Sequence, residues 1–321
     1  MHRYPHNPIL TRNDIPPIQP HLIDVSSVFN PGAIIHNGKT VLLLRVQNRG
    51  RETFLMKASS PDGYKFEIDS HEIILNGIEK IESDIFHIYD PRIIYLDSRY
   101  YIVVTMDLES GCRLGLIVTD DFEKFDFLGI LFDEDSRNGV LFPDKINGKY
   151  IMLDRPNVIR MVGNAPTGSA IRLMESDDLL TWWQSKILMK GKEHYWDELI
   201  GAGPPPIKTE QGWLLIYHGV ATHFASSNIY QAGVALLELS NPGEIISRGK
   251  YNILEPREDY ELIGQVPNVI FPTGAVVPGL PLGDTAKRKD ELWLYYGAAD
   301  TSICLATDKI GDLIDACFAG S

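Results

Sequence analysis

One carboxylate, three guanidiniums and one imidazole fall where chemistry could be done. Asp90 lies in Tyr89-Asp90-Pro91-Arg92, just ahead of the strand-like run Ile93-Ile94-Tyr95. Arg45 and Arg155 close the apolar runs 41–45 and 150–155, and His218 closes 213–218. Arg137 sits in Ser136-Arg137-Asn138-Gly139, leading into another such run. A carboxyl group can give or take a proton, while planar guanidiniums and an imidazole can fix and partly neutralise an anion. If the fold gathers them, the set has the composition of an anion-binding catalytic pocket. Singly, each has a plainer reading: Asp90 as a turn residue before proline, the arginines as solvated strand ends, His218 as a hydrogen-bonded structural histidine.

The elements that must position these groups recur five times. Each unit has a proline-bearing loop, a short apolar strand, a turn, and a strongly apolar strand ending in a polar or basic residue. The copies begin near residues 29, 90, 141, 204 and 271. Asn37-Gly38 and Asn147-Gly148, set between β-branched runs, read as hairpin turns. Further strand-like segments follow at 53–57, 114–118, 170–174, 233–237 and 303–306, then aromatic runs such as Phe125-Asp126-Phe127 and Trp182-Trp183. About four strands in a repeat of roughly 50–75 residues predict an all-β, five-bladed β-propeller rather than a β-sandwich. The reading is a single domain over 1–321, with no interdomain linker, no long amphipathic helix, and ends (about 1–25 and 308–321) that wrap the ring. Aligned at their turns, the copies bring Arg45, Thr105, Arg155 and the His218-Gly219 pair to one mouth of the central channel. Asp90 and Arg137 then sit on the loops entering the second and third copies.

Composition narrows the function classes. The net charge is −13, from 30 basic and 43 acidic residues. No basic stripe is present, which argues against nucleic acid as a partner. An acidic surface does not gather anions, so any anion site must be locally basic. Cys112, Cys304 and Cys317 are few, odd in number and without metal-ligand spacing, so they read as free thiols in a reducing, cytoplasmic setting. The nine histidines are scattered, and no metal is expected. The start, Met1-His2-Arg3-Tyr4-Pro5, lacks an apolar signal region, and no run approaches the ~18 residues of a membrane span. A P-loop, a Gly-x-Ser-x-Gly elbow and a His-Glu-x-x-His helix are all missing.

Several segments carry a resemblance: Tyr89-Asp90-Pro91-Arg92, Arg137-Asn138-Gly139-Val140-Leu141-Phe142-Pro143, Asn147-Gly148-Lys149-Tyr150, Asp154-Arg155-Pro156, Ile200-Gly201-Ala202-Gly203-Pro204-Pro205, 212–219 and Tyr296-Gly297-Ala298-Ala299-Asp300. In order, over about residues 8–305, they resemble glycoside hydrolase family 130, the β-mannoside phosphorylases and related β-1,2-mannosidases. The resemblance implies a five-bladed propeller that inverts at the anomeric carbon. It implies that Asp90 is the proton donor, acting through a sugar hydroxyl. Arg137, Arg155 and His218 match phosphate-binding positions; Asn30, Arg45, Tyr89 and Asp300 match positions near the mannose.

Inorganic phosphate is then a co-substrate, no other cofactor is implied, and the partner is a β-manno-oligosaccharide or mannosyl-hexose. A homo-oligomer is left open. One departure stands out: Leu199 occupies a position where many phosphorylases carry lysine, and Lys192 or Lys208 are candidates to replace that charge. The alternative is a β-1,2-mannosidase, in which a glutamate activates water about 6.5–9.5 Å from the acid; Glu193 and Glu198 are the candidates. A silent carbohydrate-binding propeller is the third reading. Linkage and acceptor are expected to be set by the loops 163–168 and 221–224.

Overall fold

The computed structural model describes residues 1–157, 168–223 and 227–320. Five antiparallel sheets form the five blades of a propeller. The first runs Val25–His36, Lys39–Asn48, Thr53–Ser60, Glu67–Glu72, from the channel outward. The second runs Ile85–Leu96, Arg99–Leu108, Gly111–Thr119, Phe125–Ile130, with Leu75–Asn76 added parallel on its outer edge. The third runs Ser136–Leu141, Tyr150–Pro156, Ala170–Ser176, Trp183–Lys190.

The fourth and fifth blades depart from the repeat. The fourth has its inner strand in two pieces, Leu199–Ala202 and Ile207–Thr209, both paired with Gly212–Ala221. Pro204-Pro205-Pro206 causes the gap, since proline has no N–H for the ladder. The sequence reading began this copy at 204 and so missed its first half. The fifth blade, Ile270–Val276, Glu291–Ala298 and Ser302–Lys309, takes its outer strand from the other end of the chain, His2–Arg3.

The apolar runs are continuous because both faces of each blade are buried. Along the strand Gly212–Ala221, Trp213, Leu215 and Tyr217 pack toward the third blade, while Leu214 and Ile216 pack toward the fifth. Every seam between neighbouring blades has such an apolar cluster. The helix Ile310–Phe318, which no sequence pattern singled out, buries Ile310, Leu313, Ile314 and Cys317 on the seam between the fourth and fifth blades. That spacing is one face of a two-turn helix. Among the described residues no helix is long and apolar enough to cross a membrane.

The closing strand is fastened by charge. Arg3 donates from Nε and Nη2 to the fully buried Glu261 carboxylate, each at 2.8 Å, and Tyr296 Oη donates to the same group at 2.8 Å. Removing Arg3 strands a buried carboxylate. Arg3→Met should therefore lower the unfolding free energy by about 3 kcal/mol, read by urea titration at neutral pH. A loss under about 0.5 kcal/mol would show that the pair does not hold the closure.

Candidate active site

The inner strands of the first three blades share one irregularity. Pairing passes from Phe29↔Arg45 to Gly32↔Leu43, from Tyr89↔Thr105 to Arg92↔Val103, and from Arg137↔Arg155 to Val140↔Leu153. In each case two residues face one across the ladder, which is a β-bulge. The first bulged residue is Asn30, Asp90 or Asn138, with φ of 47°, 53° and 56°. Among residues other than glycine, Asn and Asp enter this left-handed region most readily. Pro31 and Pro91 follow, where no ladder N–H is needed. Asp90 thus lies inside the strand Ile85–Leu96, not on a loop before it, and Arg137 lies inside Ser136–Leu141. The sequence placed both on loops because Asx-Pro and Asx-Gly signal a bulge and a turn alike.

Asp90 is 5% exposed and its Oδ1 accepts from Arg45 Nη1 at 2.9 Å and Asn30 Nδ2 at 3.0 Å. The Arg45 guanidinium stacks between Phe29 and Tyr89, 4.4 Å from each ring centre. Gly297 permits this approach: a Cβ there would lie 2.0 Å from Asn30 Oδ1. Behind Asp90, the buried Arg92 donates to the Asp90 carbonyl at 3.0 Å. It also reaches the carbonyls of Gly203 (2.8 Å) and Ala202 (3.3 Å), at the break in the inner strand of the fourth blade. Burial lowers the Arg92 pKa to about 10. Asp300 is half-buried beside this group at φ 49°. Burial raises its carboxyl to about 6, opposed by Arg45 and reinforced by Asp90.

The second cluster is cationic. Arg137 and Arg155 are direct cross-strand partners. Like charges so placed repel. Arg155 is 6% exposed, and among the described residues its contact is His218 Nε2 at 3.5 Å, with no carboxylate in ion-pair reach. Burial, then Arg137, lowers its pKa to about 10. His218 is fully buried against Phe271, ring centres 4.6 Å apart. Burial, with Arg155 and Arg92, holds its imidazole well below 6.5, so it is neutral at pH 7. Gly201 makes room, since a Cβ would fall 2.4 Å from His218 Cε1 and 2.7 Å from Asn138 Oδ1. Among the described residues, Arg155 Nε, His218 Nδ1 and Asn138 Oδ1 are buried without a hydrogen-bond partner. Arg137 is held differently, with Nε on Cys112 Sγ at 2.9 Å and Nη2 3.7 Å from Asp107.

The eight residues singled out from sequence thus fall into two adjoining groups: Asp90 with Asn30, Arg45, Tyr89 and Asp300, and Arg137 with Arg155 and His218. Tyr89 joins them, since the Arg137 guanidinium also lies over its ring, at 6.0 Å. Other candidates lie elsewhere. Glu193 is exposed, and Glu198 accepts from Thr222 Oγ1 at the end of the fourth blade. Neither contacts Asp90. Leu199 is buried opposite Val220. Lys208 pairs with Asp144 at 2.6 Å at the opposite channel mouth and so does not replace the missing lysine, while Lys192 lies over the Tyr195 ring. Of the two specificity loops, 163–167 and 224 lie outside the described residues.

Sequence reading missed Asn138, Arg92, Asp107 and Cys112. Asn138 was findable, because aligning Asn30-Pro31, Asp90-Pro91 and Asn138-Gly139 exposes the shared bulge.

Comparison with known proteins shows the family. The family model described as β-1,4-mannooligosaccharide phosphorylase matches residues 1–318, and the chain belongs to that family, glycoside hydrolase family 130. It is similar to a β-1,4-mannooligosaccharide phosphorylase of Ruminococcus albus, 31% identical over 98% of this chain and 89% of the relative. It is also similar to a β-1,2-mannobiose phosphorylase of Thermoanaerobacter sp., 35% identical over 95% of each. Among solved structures, the β-1,2-mannobiose phosphorylase of Listeria innocua in complex with β-1,2-mannobiose superposes with a TM-score of 0.84, at 29% identity, covering 99% of both chains.

The raised Asp300 carboxyl has a consequence for stability. A carboxyl whose folded pKa exceeds its unfolded value favours the fold below the unfolded pKa, and that favour is lost as pH rises through about 6. Above pH 6 the ionised group is a cost. Asp300→Asn should raise stability by about 2 kcal/mol at pH 7.5 and by nothing below about pH 4, in urea titrations at the two pH values. An equal effect at both would assign the change to packing.

Proposed function

We propose that the protein is an inverting phosphorylase of β-mannosides that releases α-mannose 1-phosphate. The observation that carries the reading is Arg155, a buried guanidinium without a carboxylate among the described residues, opposite Arg137 and beside a neutral imidazole. A bound phosphate supplies the countercharge. Two guanidiniums can hold its oxygens in a fixed geometry. The neutral imidazole can donate from one nitrogen and accept at the other, which suits a phosphate that still carries one proton.

In this reading Asn30, Arg45, Tyr89 and Asp300 hold the mannose ring with its anomeric carbon between the two clusters. A phosphate oxygen attacks that carbon from the Arg137/Arg155 side as the bond to the leaving oxygen breaks on the Asp90 side. The Asp90 proton passes through a sugar hydroxyl to the leaving group, which departs as an alcohol. A single displacement inverts the configuration. Positioning and charge neutralisation supply most of the acceleration. Phosphate is the only co-substrate required. The relatives' names include both β-1,2 and β-1,4 linkages, so the substrate class is a β-manno-oligosaccharide or mannosyl-hexose. The three buried free thiols support a reducing, cytoplasmic setting.

Incubation with β-1,2- or β-1,4-mannobiose should give mannose 1-phosphate only when phosphate is present. Free mannose at equal rates without phosphate would sink the reading and favour the hydrolase. Asp90→Asn should cut turnover by at least about 10³-fold while leaving thermal unfolding unchanged; near-normal turnover would remove Asp90 as the acid. Arg155→Ala should raise the KM for phosphate about tenfold or more, with little change in that for mannobiose.

A further inference from the structure

Arg137 is the member of the cationic pair with a built anchor. Its Nε donates to Cys112 Sγ at 2.9 Å, and the Cys112 thiol donates to Asp107 Oδ1 at 3.1 Å. The same Asp107 oxygen accepts the Tyr89 hydroxyl at 2.7 Å and lies 3.7 Å from Arg137 Nη2. Cys112 is itself fixed, its backbone N–H donating to Asp135 Oδ1 at 3.2 Å. Burial pushes the thiol up to about 11, against the pull of Arg137. The thiol therefore stays protonated and keeps both bonds, accepting at its lone pair and donating its S–H.

The anchor answers a specific problem. Arg137 stands directly across the ladder from Arg155, and before an anion binds the two cations repel. A half-buried arginine with a free side chain would swing toward solvent. Resting on the phosphate reading above, we infer that Cys112 and Asp107 are positioning residues that hold Arg137 beside Arg155, so that the anion site exists before phosphate arrives. Asp107 does this for both halves of the site, because through Tyr89 it also fixes the ring on which Arg45 stacks.

Initial rates of mannose 1-phosphate release, with phosphate varied at saturating mannobiose and the converse, test this. Cys112→Ala should raise the KM for phosphate about tenfold, roughly the worth of one hydrogen bond to a charged group, and leave that for mannobiose within about twofold. Cys112→Ser keeps one donor and one acceptor and should restore phosphate KM to within about threefold of the parent. In an Arg137→Ala background Cys112→Ala should add nothing. Asp107→Asn should also raise phosphate KM, and serves where Cys112→Ala does not fold. An unchanged phosphate KM in Cys112→Ala and Asp107→Asn, while Arg137→Ala raises it, overturns the positioning role alone. Equal rises in both KM values in Cys112→Ala point to general loss of packing and overturn it too; in Asp107→Asn a rise in the mannobiose KM as well is expected, through Tyr89. A phosphate KM unmoved in Arg137→Ala removes the anion reading beneath it.

Discussion

A propeller blade has no face that looks down its own channel. Its side chains alternate between two neighbouring blades, as Trp213 and Leu214 do on opposite seams. To aim a functional group at the axis, an inner strand must break its pleat. The bulges at Asn30, Asp90 and Asn138 do so at equivalent places in three blades. Each needs a left-handed residue that also carries a polar side chain, and Asn and Asp meet both demands. The rest of the site follows from this. Once Asp90 leaves the ladder toward the centre, Arg45 and Asn30 can reach one oxygen of it, and Arg92 can take the carbonyl that the bulge frees.

The second constraint is charge. The chain is acidic overall, yet Arg45, Arg92, Arg137 and Arg155 crowd the channel. Three have protein counterparts: Asp90 for Arg45, peptide carbonyls for Arg92, and Cys112 with Asp107 for Arg137. Among the described residues Arg155 has only a neutral imidazole. A buried cation in that state opposes folding, and the seam clusters must offset it. Its imbalance also bears on the proposed choice of phosphate over water. A dianion relieves it, whereas a water molecule relieves it only in part.

Much of this was legible in the chain. Five copies of a hairpin with doubly buried strands gave the architecture, and strand-end register brought Arg45, Arg155 and His218 to one mouth. What could not be read has particular causes. The fourth inner strand hides behind Pro204-Pro205-Pro206, because a proline run erases the strand signal on both sides of it. Arg92 looked like the tail of a turn motif, yet it is fully buried, and only the fold shows that Ala202 and Gly203 offer it carbonyls. Asp107 and Cys112 belong to neighbouring strands of one blade, Arg99–Leu108 and Gly111–Thr119, and meet as a register pair. Nothing in their local spacing speaks of Arg137. Glu193 and Glu198 were visible as acids, but acids on a connecting segment have no register to place them.

Leu199 can be understood in the same terms. It pairs with Val220, two positions along the strand from Gly201 and His218, and is buried there. A lysine in its place would bring another ammonium toward a cluster whose members already depress one another, Arg155 by Arg137 and Arg92 by Arg155. With leucine the resting site carries less self-repulsion, and the neutral His218 is spared a further cation. In the proposed phosphate site the exchange weakens the field on the anion but leaves both guanidiniums aligned. In such a site geometry must make up for charge. An anchored Arg137 and a packed Arg155 preorganise the oxygen contacts, and preorganised hydrogen bonds lose less of their strength to reorganisation when the anion binds.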